Sequence, residues 1–181
     1  ESRRGLFFGD LDMPQPILTS GGAYRGFPKH LLERPKISAL IGTIACEWAY
    51  IEDTLLAIFD AAQSPEAGMA ISSNPVAIAI FDTIVAFPPK LDLIERVLRL
   101  CVPTVADDFK DMRPELRKAY GARNLVVHTF WQLSDAHPDD VIMIEIDGKA
   151  VRHTEKDFAD ILDRIVPIRN RLHDFHIAVA R

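Results

Sequence analysis

The sequence contains few cysteines and no long apolar run, and these absences narrow the class of protein. Its 181 residues include only Cys46 and Cys101, each placed within an apolar helical pattern. We expect both to be reduced core side chains of an intracellular protein, and not part of a disulfide framework. The longest apolar run, 76–87, is interrupted by Asp82 and falls short of the ~20 residues that cross a bilayer. The start at Glu1 has no secretory-signal pattern, so a cytoplasmic protein without a membrane partner is expected.

Several familiar catalytic and nucleotide-binding motifs are also missing. The chain has no G-x-x-x-x-G-K-[ST] loop, no G-x-S-x-G elbow and no C-x-x-C pair. Its formal charge of −5 argues against a nucleic-acid coat protein, although an RNA-cleaving enzyme with local basic residues remains compatible with it. His173 and His176 suggest a metal site, but they have too few companion ligands. They are interpreted as a solvated face, and no metal or other cofactor is expected.

The composition is that of a globular protein, with 48% hydrophobic and 26% charged residues. Residues 1–35 are rich in glycine and proline, yet they contain the apolar side chains Phe7, Phe8, Ile17 and Leu18. We expect an irregular N-terminal arm that packs on its own domain or on a partner subunit. Residues 36–181 are expected to form a single helical domain.

Apolar residues recur at helical spacing along most of residues 36–181. Helices are predicted over 36–62, from Pro75 to before Pro88, over 91–101, over 115–132 and from Thr154 to the C-terminus. Pro114 should interrupt the chain just before the fourth of these helices. Alternating residues on both sides of Asp147-Gly148 predict a β-hairpin near 141–153. The fold class is therefore all-α, a helical bundle with one small β-hairpin.

The helix over 115–132, called the motif helix below, carries a polar and aromatic stripe. At 100° per residue the stripe comprises Arg117, Tyr120, Asn124, His128 and Trp131. Asn124 and His128 are one turn apart and should share a surface. Arg117, Tyr120 and Trp131 are the candidate binding residues, although a core or interface role is favoured for Trp131 over base stacking.

Arg123 lies on the neighbouring apolar face of the motif helix. A buried guanidinium needs a partner. Glu52, within the apolar stripe of the first helix and near Trp48, is the first candidate, and Glu47 is the second. Arg123 is thus either half of a structural ion pair with Glu52 or a catalytic residue. The two roles are compatible if the pair lies at the rim of a site.

The run Arg123-Asn124-x3-His128 resembles the R-x4-6-H signature of the HEPN superfamily. These are helical proteins, and many are metal-independent endoribonucleases whose active site is built from two copies of the motif helix. The resemblance implies a homodimer that binds RNA, with His128, Arg123 and Asn124 as catalytic residues. Some HEPN toxins carry a modifiable tyrosine two residues after the histidine. Here that position is Phe130, so this form of control is not expected.

Two functions follow from the resemblance. The first is an endoribonuclease of toxin or defence type, accompanied by a cognate antitoxin or partner protein. The second is a non-catalytic HEPN-like dimeric module that binds a partner protein or a nucleotide. The Arg-Asn-x3-His run favours the first, whereas the net charge and the inward position of Arg123 favour the second.

Overall fold

The computed structural model describes residues 24–25, 28–63, 74–145 and 148–181. Most of these residues are helical, and a small antiparallel sheet accompanies the helices, which confirms the predicted fold class. The helices are α1 (Pro35–Gln63), α2 (Pro75–Asp82), α3 (Phe87–Cys101), α4 (Ala106–His128) and α5 (Glu155–Val179), and the strands are β1 (Tyr24–Arg25), β2 (Gln132–Ser134), β3 (His137–Ile144) and β4 (Ala150–His153). Of the described helices, none combines the length and apolar character needed to cross a membrane.

The chain divides into two compact units. The described residues within 1–38 and 130–158 form the sheet unit, and those within 39–129 and 159–181 form the helical unit. The expected contacts of Phe7, Phe8, Ile17 and Leu18 lie outside the described residues. Residues 1–35 are predicted to be irregular. Their described part instead contains regular structure, namely β1 and a 3-10 helix over Pro28–Glu33.

The sheet unit is built on antiparallel strands in the order β1-β2-β3-β4. Val141 pairs with His153 and Ile144 pairs with Ala150, so the predicted hairpin is confirmed. Gly148 closes its turn with φ +85°, a conformation that favours glycine, and its N–H donates to the Glu145 carbonyl over 2.9 Å. Apolar side chains from the strands and the start of α5 are buried in this unit: Leu133, Val141, Ile142, Val151 and Phe158.

The helical unit buries one apolar stripe from each of its longer helices. The buried residues of α1 recur every three or four positions, as an amphipathic helix requires. Its core includes Ile44, Trp48, Ile51, Leu55 and Ile58 of α1, Leu91, Ile94 and Leu98 of α3, Phe109, Met112 and Leu116 of α4, and Ile165 and Leu172 of α5.

Polar side chains cap two of the helices where the sequence predicts helix starts. The Asn74 Oδ1 atom accepts hydrogen bonds from the backbone N–H groups of Val76 and Ala77, at 3.1 and 3.3 Å. At the start of α5, the Asp157 carboxylate accepts from the Thr154 backbone N–H over 2.6 Å. The Asp157 N–H donates in return to the Thr154 hydroxyl over 3.4 Å, which completes a reciprocal cap.

The motif helix differs from its predicted bounds at both ends. It begins at Ala106 and continues through Pro114, although a proline inside a helix removes one backbone hydrogen bond. It ends at His128, since Thr129 is extended with φ −81° and ψ 137°. Gln132, predicted to be the last helical residue, instead begins β2, which pairs with β1 and β3.

Both cysteines are free and exposed, so their predicted burial is wrong. Cys46 is two residues from both Ile44 and Trp48, which places it about 200° around the helix from the buried stripe. Cys101 is the last residue of α3 and lies beyond the buried stretch of that helix.

Candidate active site

Arg123, Asn124 and His128 form a cluster, called the RNH cluster below, in the last turns of α4. The Arg123 Nη1 atom donates to Asn124 Oδ1 over 3.0 Å. The same nitrogen lies 3.1 Å from His128 Nε2. Arg123 and Asn124 are half-buried and His128 is exposed, so the imidazole is the part of the cluster most open to solvent.

The contact between Arg123 and His128 suits one tautomer of the neutral imidazole. A guanidinium has donors and no acceptor. The 3.1 Å approach is therefore a hydrogen bond only when His128 Nε2 is unprotonated and Nδ1 carries the proton. In this state His128 has a lone pair on one ring nitrogen and a donor on the other, which are the two groups that acid–base catalysis uses.

The positive charge of Arg123 is not neutralised by a carboxylate within the described part of the chain. Its polar contacts there are with Asn124 and His128, both uncharged as hydrogen-bonded here. Its Nε atom is buried without a hydrogen-bond partner. A partly buried cation in this condition attracts an anion, and a phosphate matches the donor geometry of a guanidinium.

The ion pair predicted between Glu52 and Arg123 is not among the salt bridges of the described residues. Glu52 Oε1 instead accepts from the indole Nε1 of Trp48, one turn earlier on α1, over 3.0 Å. Glu47, the second candidate, pairs with Arg169 of α5 at 2.9 Å. A neutral indole donor thus satisfies Glu52, and the guanidinium of Arg123 turns along its own helix toward His128.

The three predicted binding residues lie in three different environments. Tyr120 stacks on Phe87 with ring centroids 4.7 Å apart. Arg117 forms an exposed ion pair with Asp92 at 3.5 Å. Trp131 lies beyond the end of α4, buried in the sheet unit. Of the predicted stripe, only Asn124 and His128 belong to the RNH cluster. Arg123, which the helical angles place on the apolar face, is the third member of that cluster.

An ionic clasp fixes α4 against α3. The guanidinium of Arg113 on α4 binds both Glu95 and Asp92 of α3, and Arg99 adds a second contact to Glu95 at 3.0 Å. Burial raises the pKa of Glu95, but hydrogen bonds from Arg113 and Arg99 outweigh this and hold the pKa below its ordinary value of 4.5. The clasp sets the position of the helix that carries the RNH cluster. Sequence reasoning missed it because Arg113 is 18 residues from Glu95 and 21 from Asp92 along the chain.

The histidines considered for a metal site have other surroundings. His173 Nδ1 lies 2.9 Å from the Tyr50 hydroxyl. Burial and the neighbouring His173 lower the pKa of His176. Among the described residues, no group of three or more histidine, cysteine or acidic side chains is placed to hold a metal ion. Comparisons of the chain with protein-family models, with curated proteins and with solved structures found no match.

Proposed function

We propose that this protein is a metal-independent endoribonuclease of toxin or defence type that cleaves RNA through the RNH cluster. The observation that carries the proposal is the convergence of Arg123 and His128 at the exposed end of α4, at 3.1 Å. The guanidinium has no carboxylate partner among the described residues, so it can bind the phosphodiester. The neutral imidazole beside it can transfer a proton. The resemblance to the HEPN signature supports the same chemistry.

The reaction uses the 2′-hydroxyl of the RNA itself. His128 takes the 2′-hydroxyl proton through Nε2, and the 2′-oxygen forms a bond to phosphorus while the bond from phosphorus to the 5′-oxygen breaks. The 5′-oxygen receives a proton from an acid, so the products are a 2′,3′-cyclic phosphate and a free 5′-hydroxyl. Arg123 stabilises the negative charge that grows on the phosphate oxygens.

The contact between Arg123 and His128 must open before His128 acts as a base, because Arg123 occupies the lone pair on Nε2. An RNA phosphate supplies the anion that draws the guanidinium away, so substrate binding itself releases the base. Asn124 Oδ1 holds the same Nη1 atom and keeps the guanidinium oriented during this exchange. Binding and activation of the base are therefore coupled through one side chain.

One His128 does not serve both ends of the reaction, since base and acid act on opposite sides of the phosphorus. A second copy of the chain would supply the acid, which is the reason we propose a homodimer. Light scattering at micromolar concentration measures the mass directly. A mass of two chains is expected, and a monomer there removes the composite site.

The second candidate is a non-catalytic HEPN-like dimeric module that binds a partner protein or a nucleotide. The exposed apolar side chains of α2 favour it: Val76 and Ile80 lie one turn apart and are 64% and 50% exposed. Apolar groups in such a row suit contact with another protein. On this alternative the chain binds its partner equally well with or without His128.

A ribonuclease assay distinguishes the two candidates. Purified protein is incubated with mixed RNA in EDTA, beside His128→Ala and a matched control, His137→Ala, which removes an imidazole from β3 outside the RNH cluster. We expect cleavage by the wild type and by His137→Ala, and none by His128→Ala or on DNA. Arrest of cell growth on expression, relieved by His128→Ala, tests the toxin assignment. Cleavage that survives His128→Ala rejects the proposed site.

A further inference from the structure

A second group of reactive side chains lines a cleft between α1 and α5 in the helical unit. The cleft has a volume of about 210 Å³ and is lined by Cys46, Glu47, Tyr50 and Arg169. Cys46 and Tyr50 are four residues apart on α1, as are Arg169 and His173 on α5, so each pair lies on one face of its helix. This group is separate from the RNH cluster and has no role in the reaction described above.

Arg169 is held with most of its donors unused. Its Nε atom donates to Glu47 Oε2 over 2.9 Å, and its guanidinium carbon lies 5.6 Å from the centroid of the Tyr50 ring. The hydrogen bond to Glu47 holds the Nε edge of the guanidinium, and the Tyr50 ring covers one of its faces. Its terminal Nη1 and Nη2 groups have no partner among the described residues.

The Tyr50 hydroxyl adds a further donor to the cleft in one of the two proton arrangements of its contact with His173. If the Tyr50 hydroxyl donates to Nδ1 over the 2.9 Å contact, the hydroxyl proton is engaged and the imidazole carries its own proton on Nε2. If Nδ1–H donates to the hydroxyl oxygen, the hydroxyl proton is free instead. Because Tyr50 lines the cleft together with Arg169, the second arrangement places a hydroxyl donor there.

We infer that this cleft binds a phosphate-type oxyanion. The Nη groups of Arg169 match two phosphate oxygens in a bidentate manner, and the Tyr50 hydroxyl, which lines the same cleft, is the candidate third donor. Glu47 occupies the Nε edge and orients the guanidinium, which leaves the opposite end for the anion. The phosphate comes from an RNA strand, a source that rests on the proposed function, or from a free phosphate.

Cys46 provides a probe of occupancy because its exposed thiol lines the cleft, and Cys101, also exposed, is an internal control on α3. Alkylation of both thiols by iodoacetamide is followed by peptide mass spectrometry. One arm adds inorganic phosphate, one adds a 2′-O-methyl oligoribonucleotide that resists cleavage, and one adds sodium chloride at equal ionic strength. We expect phosphate and oligonucleotide to slow alkylation of Cys46 saturably and to leave Cys101 unchanged.

The outcomes separate the two sources and test the site. Protection by the oligonucleotide at lower concentration than by phosphate supports RNA as the source. Protection by phosphate alone supports the site and rejects RNA. The inference is overturned if phosphate and oligonucleotide protect Cys46 no more than sodium chloride does. It is also overturned if they protect Cys101 as strongly as Cys46. The alkylation experiment does not require RNA cleavage, so its result can be interpreted even if the ribonuclease assay is negative.

Two matched substitutions on α5 test the role of Arg169. Arg169→Gln and Arg171→Gln each remove one positive charge, but Arg171 pairs with Glu115 at 3.2 Å on the exposed surface. We expect Arg169→Gln to weaken protection of Cys46 by phosphate about ten-fold or more, the loss of at least one hydrogen bond to a charged group. Arg171→Gln should change it by less than about two-fold.

Tyr50→Phe serves as a second test that does not disturb the ion pair of Arg169 with Glu47. It keeps the ring under the guanidinium and removes only the hydroxyl. We expect weaker protection by phosphate with an unchanged thermal unfolding midpoint. Equal losses in Arg169→Gln and Arg171→Gln, or an unaltered affinity in both Arg169→Gln and Tyr50→Phe, contradict the assigned site.

Discussion

Replacement of Arg113 by alanine should destabilise the protein more than replacement of Arg99, the other arginine of the ionic clasp. The Arg113 and Glu95 side chains are 18% and 13% exposed, so the substitution leaves a largely buried carboxylate with a weaker partner. Removing one member of a fully buried pair costs ~3–5 kcal/mol. Asp92 is half-exposed and Arg99 still reaches Glu95, so we expect a loss of about 2–3 kcal/mol, discounted for solvent screening.

Thermal and urea denaturation measure this loss. In a chain of this length about 2–3 kcal/mol lowers the unfolding midpoint by about 5–10 °C. Arg99→Ala is the matched control, because Arg99 binds the same carboxylate but is 46% exposed, and it should lower the unfolding midpoint clearly less than Arg113→Ala does. Equal losses in Arg99→Ala and Arg113→Ala would refute the reasoning that burial makes Arg113 the dominant partner.

The same pair has a definite pH dependence. The pKa of Glu95 is lowered in the folded protein, so its stabilising contribution is present above its ordinary pKa of 4.5 and is lost as the pH falls through the folded pKa. Arg113→Ala removes the main cause of the lowering. The variant should therefore lose less additional stability on acidification than the wild type does.

Three further substitutions test a buried histidine, the cap of α2 and the turn between β3 and β4. Burial lowers the pKa of His153 and the Asp157 carboxylate opposes it, so stability should fall as the pH drops below 6.5, where only the unfolded chain gains the proton. His153→Phe should reduce that slope in urea denaturation between pH 7 and 5, with the remainder due to His176. Asn74→Ala should cost about 1 kcal/mol of unfolding free energy through loss of the cap of α2, and no change would disprove the cap's contribution. Gly148→Ala should cost about 1 kcal/mol or more at φ +85°, and an equally stable variant would show that the turn relaxes.

The sequence predicts the helices and the hairpin because these depend on local chemistry. Residues at helical spacing define α1 from Pro35 to Gln63 almost to the residue, and Asn74 and Thr154 start helices where their side chains can cap the backbone. The end of α4 is less predictable. Residues 129–131 belong to neither a helix nor a strand, and Gln132 is a strand residue because it pairs with Ile142, ten residues further along the chain.

The site is predictable only in part, because long side chains reach beyond their positions on a helical wheel. Asn124 and His128 share a surface as expected from their spacing. Arg123 starts on the apolar face, yet its guanidinium crosses to His128. Glu52 lies within an apolar stripe, but its hydrogen-bond donor is the Trp48 indole of the same helix. The position of a carboxylate in such a stripe therefore does not identify a partner on another helix.

The central claim is that His128 and Arg123 cleave RNA by attack of the 2′-hydroxyl, and the ends of the product test it most directly. The substrate is a DNA oligonucleotide with a single ribonucleotide, incubated with protein in EDTA and examined by mass spectrometry. We expect one cut after the ribonucleotide that leaves a 2′,3′-cyclic phosphate and a 5′-hydroxyl, with no product from His128→Ala. An intact substrate, a linear 5′-phosphate product or the same cut by His128→Ala would contradict the account.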